Sequence, residues 1–198
     1  MLGYEGRMLY YIDKASVVKW ARENFFKSLP ESANPSFVSR YVDLSLIGYD
    51  NYDCTNFVSH AILAGGAPTY DTGGLGISAS GWYFRDLGNR SSSWSGVAPL
   101  FDFLISNKAR GPVGEYRRYE DIYSGSFDFE AGDIIQFNNG GFWRHTGIIT
   151  GFGYTPDGRL EALVTGRTDS RLYNDNTPAS EIYPGLPRRV IKLLGYYK

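Results

Sequence analysis

Apolar positions along this chain recur in two periods, and the change from one to the other divides it. In residues 12–28, Val17, Ala21 and Phe25 fall on one stripe with Trp20 beside it, which predicts an amphipathic helix. Asp13 or Ser16 is placed to cap its start, and Pro30 blocks its continuation. Phe57, Val58, Ala61 and Ile62 repeat at three- and four-residue steps and predict a second helix, starting at Cys54 and ended by Gly65-Gly66. Val97, Leu100, Phe101, Leu104 and Ile105 mark a third, preceded by the N-cap candidates of Ser91-Ser92-Ser93-Trp94-Ser95 and ending near Asn107. From about residue 115 the period becomes two. Strands are predicted at 133–137, 145–152, 160–165 and 189–197, with Asn138-Asn139-Gly140-Gly141 and Pro156-Asp157-Gly158 as turns. Helices followed by an antiparallel sheet give an α+β fold in one domain spanning residues 1–198, with no internal repeat and no interior linker.

The connections carry less pattern. Residues 1–11 read as a poorly ordered lead or an edge segment. Residues 31–52 form a long connection leading to the start of the Cys54 helix, and loops at such points often shape a site. Gly73, Gly74, Gly76 and Gly81 surround Trp82 and Tyr83 in a stretch that reads either as a rim over a site or as a surface excursion.

Composition narrows the function. A net charge of −1 offers no electrostatic case for nucleic acid or anionic membrane. Aromatic residues make up 16% of the chain, a composition suited to β-structure and to a ligand groove lined with rings. No apolar run approaches the roughly 20 residues of a membrane span. Residues 1–11 lack a basic segment followed by an apolar one, so no signal peptide is expected within the chain. A single cysteine excludes an internal disulfide, and one Cys with two separated His does not make a zinc site. No cofactor or metal is expected.

That single cysteine is the candidate nucleophile. Asp53 is suited to cap the second helix, which puts Cys54 at the first helical position, where backbone N–H groups and the helix dipole favour a thiolate. The plainer alternative is a small buried apolar residue. His60 lies six residues on, about 240° round the helix, and points away from the thiol towards solvent or the core edge. His145 begins a strand beside the Gly140-Gly141 turn. It is either simply exposed or, facing the helix N-terminus, the base that takes the thiol proton.

Several motifs in order resemble those of the putative amidase domain family, a papain-like group related to the NlpC/P60 and CHAP cell-wall hydrolases. They are Tyr52-Asp53-Cys54-Thr55-Asn56-Phe57-Val58-Ser59, Ala64-Gly65-Gly66-Ala67-Pro68, Trp82-Tyr83, Ser92-Ser93-Trp94-Ser95, Gly132-Asp133-Ile134-Ile135-Gln136-Phe137 and Arg144-His145-Thr146-Gly147-Ile148-Ile149-Thr150. The resemblance spans roughly residues 10–170. It implies a papain-like fold and a bacterial Cys–His amidase or peptidase acting on peptidoglycan or a related peptide, secreted or cell-wall associated. Cys54 would be the nucleophile, with its backbone amide in the oxyanion site. His145 would be the general base and then the general acid. Asp53 would hold a substrate amine unless it is only the helix cap, and Trp82 and Trp143 are further candidates for substrate contact.

One position departs from the family pattern, which places His-Thr on the strand after the histidine strand. Here Arg167-Thr168 stands there, and a guanidinium accepts no hydrogen bond from imidazole. Asp169, two residues along the strand and so on the face of Arg167, is the candidate replacement; Asn174 is a weaker one. The alternatives are a Cys–His dyad or an impaired copy that binds cell-wall glycan or peptide without turning it over. Acyl transfer to an amine instead of water would use the same residues.

Overall fold

A computed structural model describes residues 6–25, 53–169 and 172–198, without the side chains of residues 168–169 and 172–173. The expectations for Pro30 and for the connection 31–52 lie outside the described residues. In chain order the elements are α1 (Lys14–Asn24), α2 (Cys54–Ala64), β1 (Ile77–Ser78), β2 (Phe84–Asp86), β3 (Asn89–Ser91), α3 (Ser92–Ser95), α4 (Val97–Ser106) and β4 (Gly111–Arg118). A 3-10 turn (Tyr119–Ser124), β5 (Ile134–Asn139), β6 (Phe142–Tyr154), β7 (Leu160–Asp169), β8 (Leu172–Pro178), α5 (Ala179–Ile182) and β9 (Arg188–Tyr197) follow. The α+β reading holds. Six antiparallel strands are ordered β4-β9-β5-β6-β7-β8, so the C-terminal strand lies inside the sheet, between β4 and β5. No described helix is long and apolar enough to cross a membrane.

Strand alternation sorts the sheet into two faces. Ile134, Ile148 and Ile191 join Val17 and Ala21 of α1, Phe57, Ala61 and Ile62 of α2, and Leu100 and Leu104 of α4 in one core. Their neighbours Ile135, Phe137, Ile149, Val164 and Val190 point the other way, onto Tyr119 and Ile122 of the 3-10 turn and Ala179 of α5. The helix α2 is buried on every side from Cys54 to Ile62, as a helix with apolar and small residues all round must be. Phe57, Val58 and Ile62 are wholly buried there, each contributing about 1.5–3 kcal/mol. The end of α2 touches α1: a Cβ on Gly65 would lie 2.6 Å from Val17 Cγ2 and 2.8 Å from Ile12 Cγ1, so only glycine permits that approach.

The Gly132-Asp133 pair proves to be a brace. Asp133 is wholly buried; its carboxylate accepts the Glu130 and Leu193 amides at 2.8 Å each and meets Lys14 Nζ at 2.6 Å. One side chain thus ties α1, the entry to β5 and β9 together. Gly132 has φ 97°, and a Cβ there would lie 2.5 Å from Lys14 Cβ.

Besides the short strands β1, β2 and β3, two strands of the main sheet escape the period rule. β4 follows α4 at once and opens with Gly111-Pro112; β8 carries Asn174, Asp175 and Asn176. Residues 71–80 of the glycine-rich stretch are mostly exposed, as a surface excursion would be, but the part holding the aromatics is not. The stretch leads into the small sheet β1-β3-β2, and Trp82 and Tyr83 are almost entirely buried.

Candidate active site

Two helices begin with an aspartate at the cap position, and they use it differently. Asp13 takes an extended backbone (φ −79°, ψ 91°), and its carboxylate accepts the Ser16 amide at 3.1 Å, an ordinary N-cap. Asp53 has φ −86° and ψ −2°, already helical, and makes no side-chain cap bond. Its carboxylate instead accepts Asn56 Nδ2 at 3.0 Å and forms an ion pair with Arg167 Nε at 3.3 Å, both side chains wholly buried. The expected capping role is therefore replaced by a link from α2 to β7. A substrate amine would have to compete with a buried guanidinium for Asp53.

From Asp53 a line of buried hydrogen bonds runs inward. Asn56 Oδ1 accepts Trp94 Nε1 at 2.7 Å, the Trp94 carbonyl accepts the Ser59 hydroxyl at 2.9 Å, and Ser59 Oγ accepts Trp82 Nε1 at 3.1 Å. This corrects the expectation for Trp82. Its ring is core, with the indole N–H directed at α2, and it presents no surface to a substrate. His60 is buried, 4% exposed, and so is not solvent-facing. It stacks on Trp20 with ring centroids 5.8 Å apart and meets the Trp94 ring edge-on at 5.2 Å. Burial pushes its pKa down to about 3.

Cys54 stands at the first position of α2, as expected, and is 1% exposed. Its sulfur lies 3.8 Å from Thr55 Oγ1, and the backbone of Thr146 on β6 is close enough to act on the thiol. Burial pushes the thiol up to about 11; the Thr146 amide and Thr55 hydroxyl oppose this and the Asp53 charge adds to it. The expectation of a thiol poised by the helix N-terminus is overturned for this conformation, because desolvation of the anion outweighs the amides.

His145 is one residue from that amide but on the other side of β6. It pairs with Phe137 across the β5–β6 ladder, and paired residues share a face. Its ring sits 5.8 Å from Phe137 and 5.4 Å from Tyr183, in the core away from α2. A small cavity of about 80 Å³ opens beside it, lined by Phe137, Asn139, Arg144, Tyr183 and Leu186. Burial pushes the imidazole down to about 4. Thr146, by contrast, pairs with Gln136, whose Nε2 reaches the Val97 carbonyl at the start of α4. The expected imidazole facing the helix N-terminus is thus corrected. Strand alternation puts the Thr146 side chain towards the helices and that of His145 on the opposite face.

At the third position, Asp169 is expected to share the face of Arg167, and the β7–β8 register shifts between the two. The side chain of Asp169 lies outside the described residues. Asn174 pairs with Gly166, and a Cβ on Gly166 would lie in ordinary contact, 3.9 Å from His145 Nε2. Trp143 is half-buried, and its ring covers the Arg189 guanidinium at 3.9 Å.

The structure brings together Asp53, Cys54, Asn56, Thr146 and Arg167, and it leaves His145 behind the strand. The roles of Asn56 and Arg167 were not evident from apolar periodicity. An amide-bearing residue three positions after Asp53 was the one local signal, since i,i+3 residues on a helix are neighbours. Among the described residues, no three His, Cys, Asp or Glu side chains converge to hold a metal. Comparisons with curated proteins and with solved structures give no match. The model of the putative amidase domain matches residues 11–191, which takes in every residue of this site, and the chain belongs to that family.

Proposed function

We propose that the chain is a cysteine-dependent amide hydrolase acting on peptidoglycan or a related cell-wall peptide. The observation that carries this reading is Cys54 at the N-terminus of α2 in a chain of the amidase family. In the reaction Cys54 Sγ attacks the amide carbonyl carbon and its proton passes through His145 to the leaving nitrogen. The amine departs, a thioester remains on Cys54, and water attacks it with His145 now acting as base. The Cys54 backbone N–H supplies one donor to the developing oxyanion. Both groups are neutral at pH 7 in the conformation described, so the pair starts as thiol and imidazole. Proton transfer in this reading requires the β6 backbone to change register at His145, because strand alternation fixes the face that a side chain takes. The likeness to NlpC/P60 and CHAP enzymes, the papain-like assignment and an extracellular or cell-wall location in a bacterium belong to this reading.

A second reading has its own support. The imidazole is on the far face, and Arg167 is paired with Asp53. Both fit a module that binds cell-wall material without cleaving it. Release of free amine from purified peptidoglycan separates the two. The hydrolase reading expects release by the wild type, none by Cys54→Ala, and no effect of chelators. Sedimentation with peptidoglycan but no amine release from the wild type would leave the binding reading.

A further inference from the structure

One row of residues across the sheet links the cysteine to an unusual arginine. Thr146 on β6 pairs with Gln136 on β5, and Gln136 pairs with Arg189 on β9. Adjacent strands lie about 4.8 Å apart, so Arg189 is on the order of 10 Å from Thr146, the span of about three residues of an extended peptide. The Arg189 side chain is on the helix side of the sheet, because its guanidinium lies against Phe101 of α4, with the Phe101 centroid at 3.5 Å and the Trp143 centroid at 3.9 Å on another ring. Its Nε donates to Gln136 Oε1 at 2.8 Å, and Gln136 is held in turn by the Val97 carbonyl at 2.8 Å.

This clamp fixes the plane of the guanidinium and uses only one of its five donors. Among the described residues the terminal Nη1 and Nη2 groups have no hydrogen-bond partner, and neither is one of the sealed, unsatisfied buried atoms of the structure. They therefore reach solvent. Asp102 is the nearby acidic group and makes no ion pair with Arg189. Burial pulls the guanidinium down to about 10, so it keeps its charge at neutral pH. A planar cation held on its faces by rings and on one edge by an amide is preorganised to take a carboxylate through its other edge.

We infer that Arg189, clamped by Phe101, Trp143 and Gln136, is a carboxylate-binding subsite, and that it receives a carboxylate of the peptide about three residues from the amide at Cys54. Its placement along a peptide rests on the amide-hydrolase reading; the capture of a carboxylate does not.

The test uses two small probes that differ in one group, N-acetylglycine and N-acetylglycinamide, titrated into the whole chain while the Trp143 indole N–H is followed by NMR. The expected result is a saturable shift with the acid alone, lost in Arg189→Gln. Arg189→Lys, which keeps the charge but not the plane, binds the acid about tenfold more weakly or worse. Equal shifts with acid and amide, no saturable shift with the acid, or full binding by Arg189→Lys would overturn the inference. If the acid binds as expected and peptidoglycan is not cleaved, the subsite stands and the hydrolase reading falls. If peptidoglycan is cleaved with the same KM by wild type and Arg189→Lys, the hydrolase reading stands and the subsite falls.

Discussion

The two faces of the β5–β6–β7 sheet set their buried polar groups in different surroundings. On the helix face polarity is paired: Asp53 with Arg167, Asn56 with Trp94, Ser59 with Trp82, and Gln136 with Arg189. On the other face His145 and Arg188 lie among aromatic rings, and the Arg188 guanidinium donates to the Ala179 and Tyr183 carbonyls. The difference teaches what each face is built to hold. The helix face retains a charge pair at depth and keeps the thiol beside it as a neutral group. On the aromatic face burial favours the neutral imidazole.

The largest break in this comparison is expected at the charge pair. Arg167→Met leaves the Asp53 carboxylate buried without its cation and should cost about 3–5 kcal/mol in denaturant unfolding. Adding Asp53→Asn should recover much of that loss, since two neutral groups need no counter-charge. An additive double mutant would show that the ion pair at 3.3 Å carries no coupling.

A smaller loss should follow from the hydrogen-bond line. Ser59→Ala removes the acceptor of the Trp82 indole and the donor to the Trp94 carbonyl, both buried. About 1–3 kcal/mol of stability should disappear. A change of a few tenths would mean that the line is incidental to packing.

The two buried histidines, one on each side of the sheet, make a prediction through pH. His145 and His60 hold folded-state values of about 4 and about 3, while the unfolded chain binds protons near 6.5. The unfolded state therefore binds more protons below pH 6.5, so stability falls as pH drops from about 6.5 towards 4. His145→Phe should flatten part of that slope between pH 6 and 4.5. On the alkaline side the signs reverse. An unfolded thiol ionises near 8.5 and the folded one near 11, so Cys54 stabilises less as pH rises through this range.

The smallest effect expected on stability is at the thiol itself. Iodoacetamide should label Cys54 at pH 7 far more slowly than an ordinary cysteine, with a rate that climbs as pH approaches about 11. Rapid labelling at pH 6–7 that vanishes in His145→Ala would mean that the imidazole already faces the sulfur in solution.

What was legible in the sequence follows from how local each signal was. The stripe of Val17 and Ala21, the N-cap at Asp13, the Gly65 stop and the four strands at 133–137, 145–152, 160–165 and 189–197 rest on period and turn chemistry, and each has its element in the structure. β4 and β8 were missed because Gly111-Pro112 and Asn174-Asp175-Asn176 are turn-forming residues that tertiary pairing overrides. Cys54 at a helix start was readable from Asp53 and the apolar period. Which face His145 takes was not, because one residue of register moves a side chain through the sheet. The thiol's pKa was misjudged for a similar reason: a helix N-terminus is visible in sequence, whereas the depth of burial that outweighs it is set by packing against β6. Trp82 sat among glycines that suggest a loop, yet its indole is tied to Ser59 on the central helix.

The central claim is that Cys54 carries the acyl group of a cleaved amide. The direct measurement is mass spectrometry of the chain mixed with soluble peptidoglycan fragments and quenched in acid. The account predicts a mass increase equal to the acyl part of a fragment, located on the peptide containing Cys54, removed by hydroxylamine and absent in Cys54→Ala. Amine release with no adduct on Cys54, undiminished in Cys54→Ala, would contradict it.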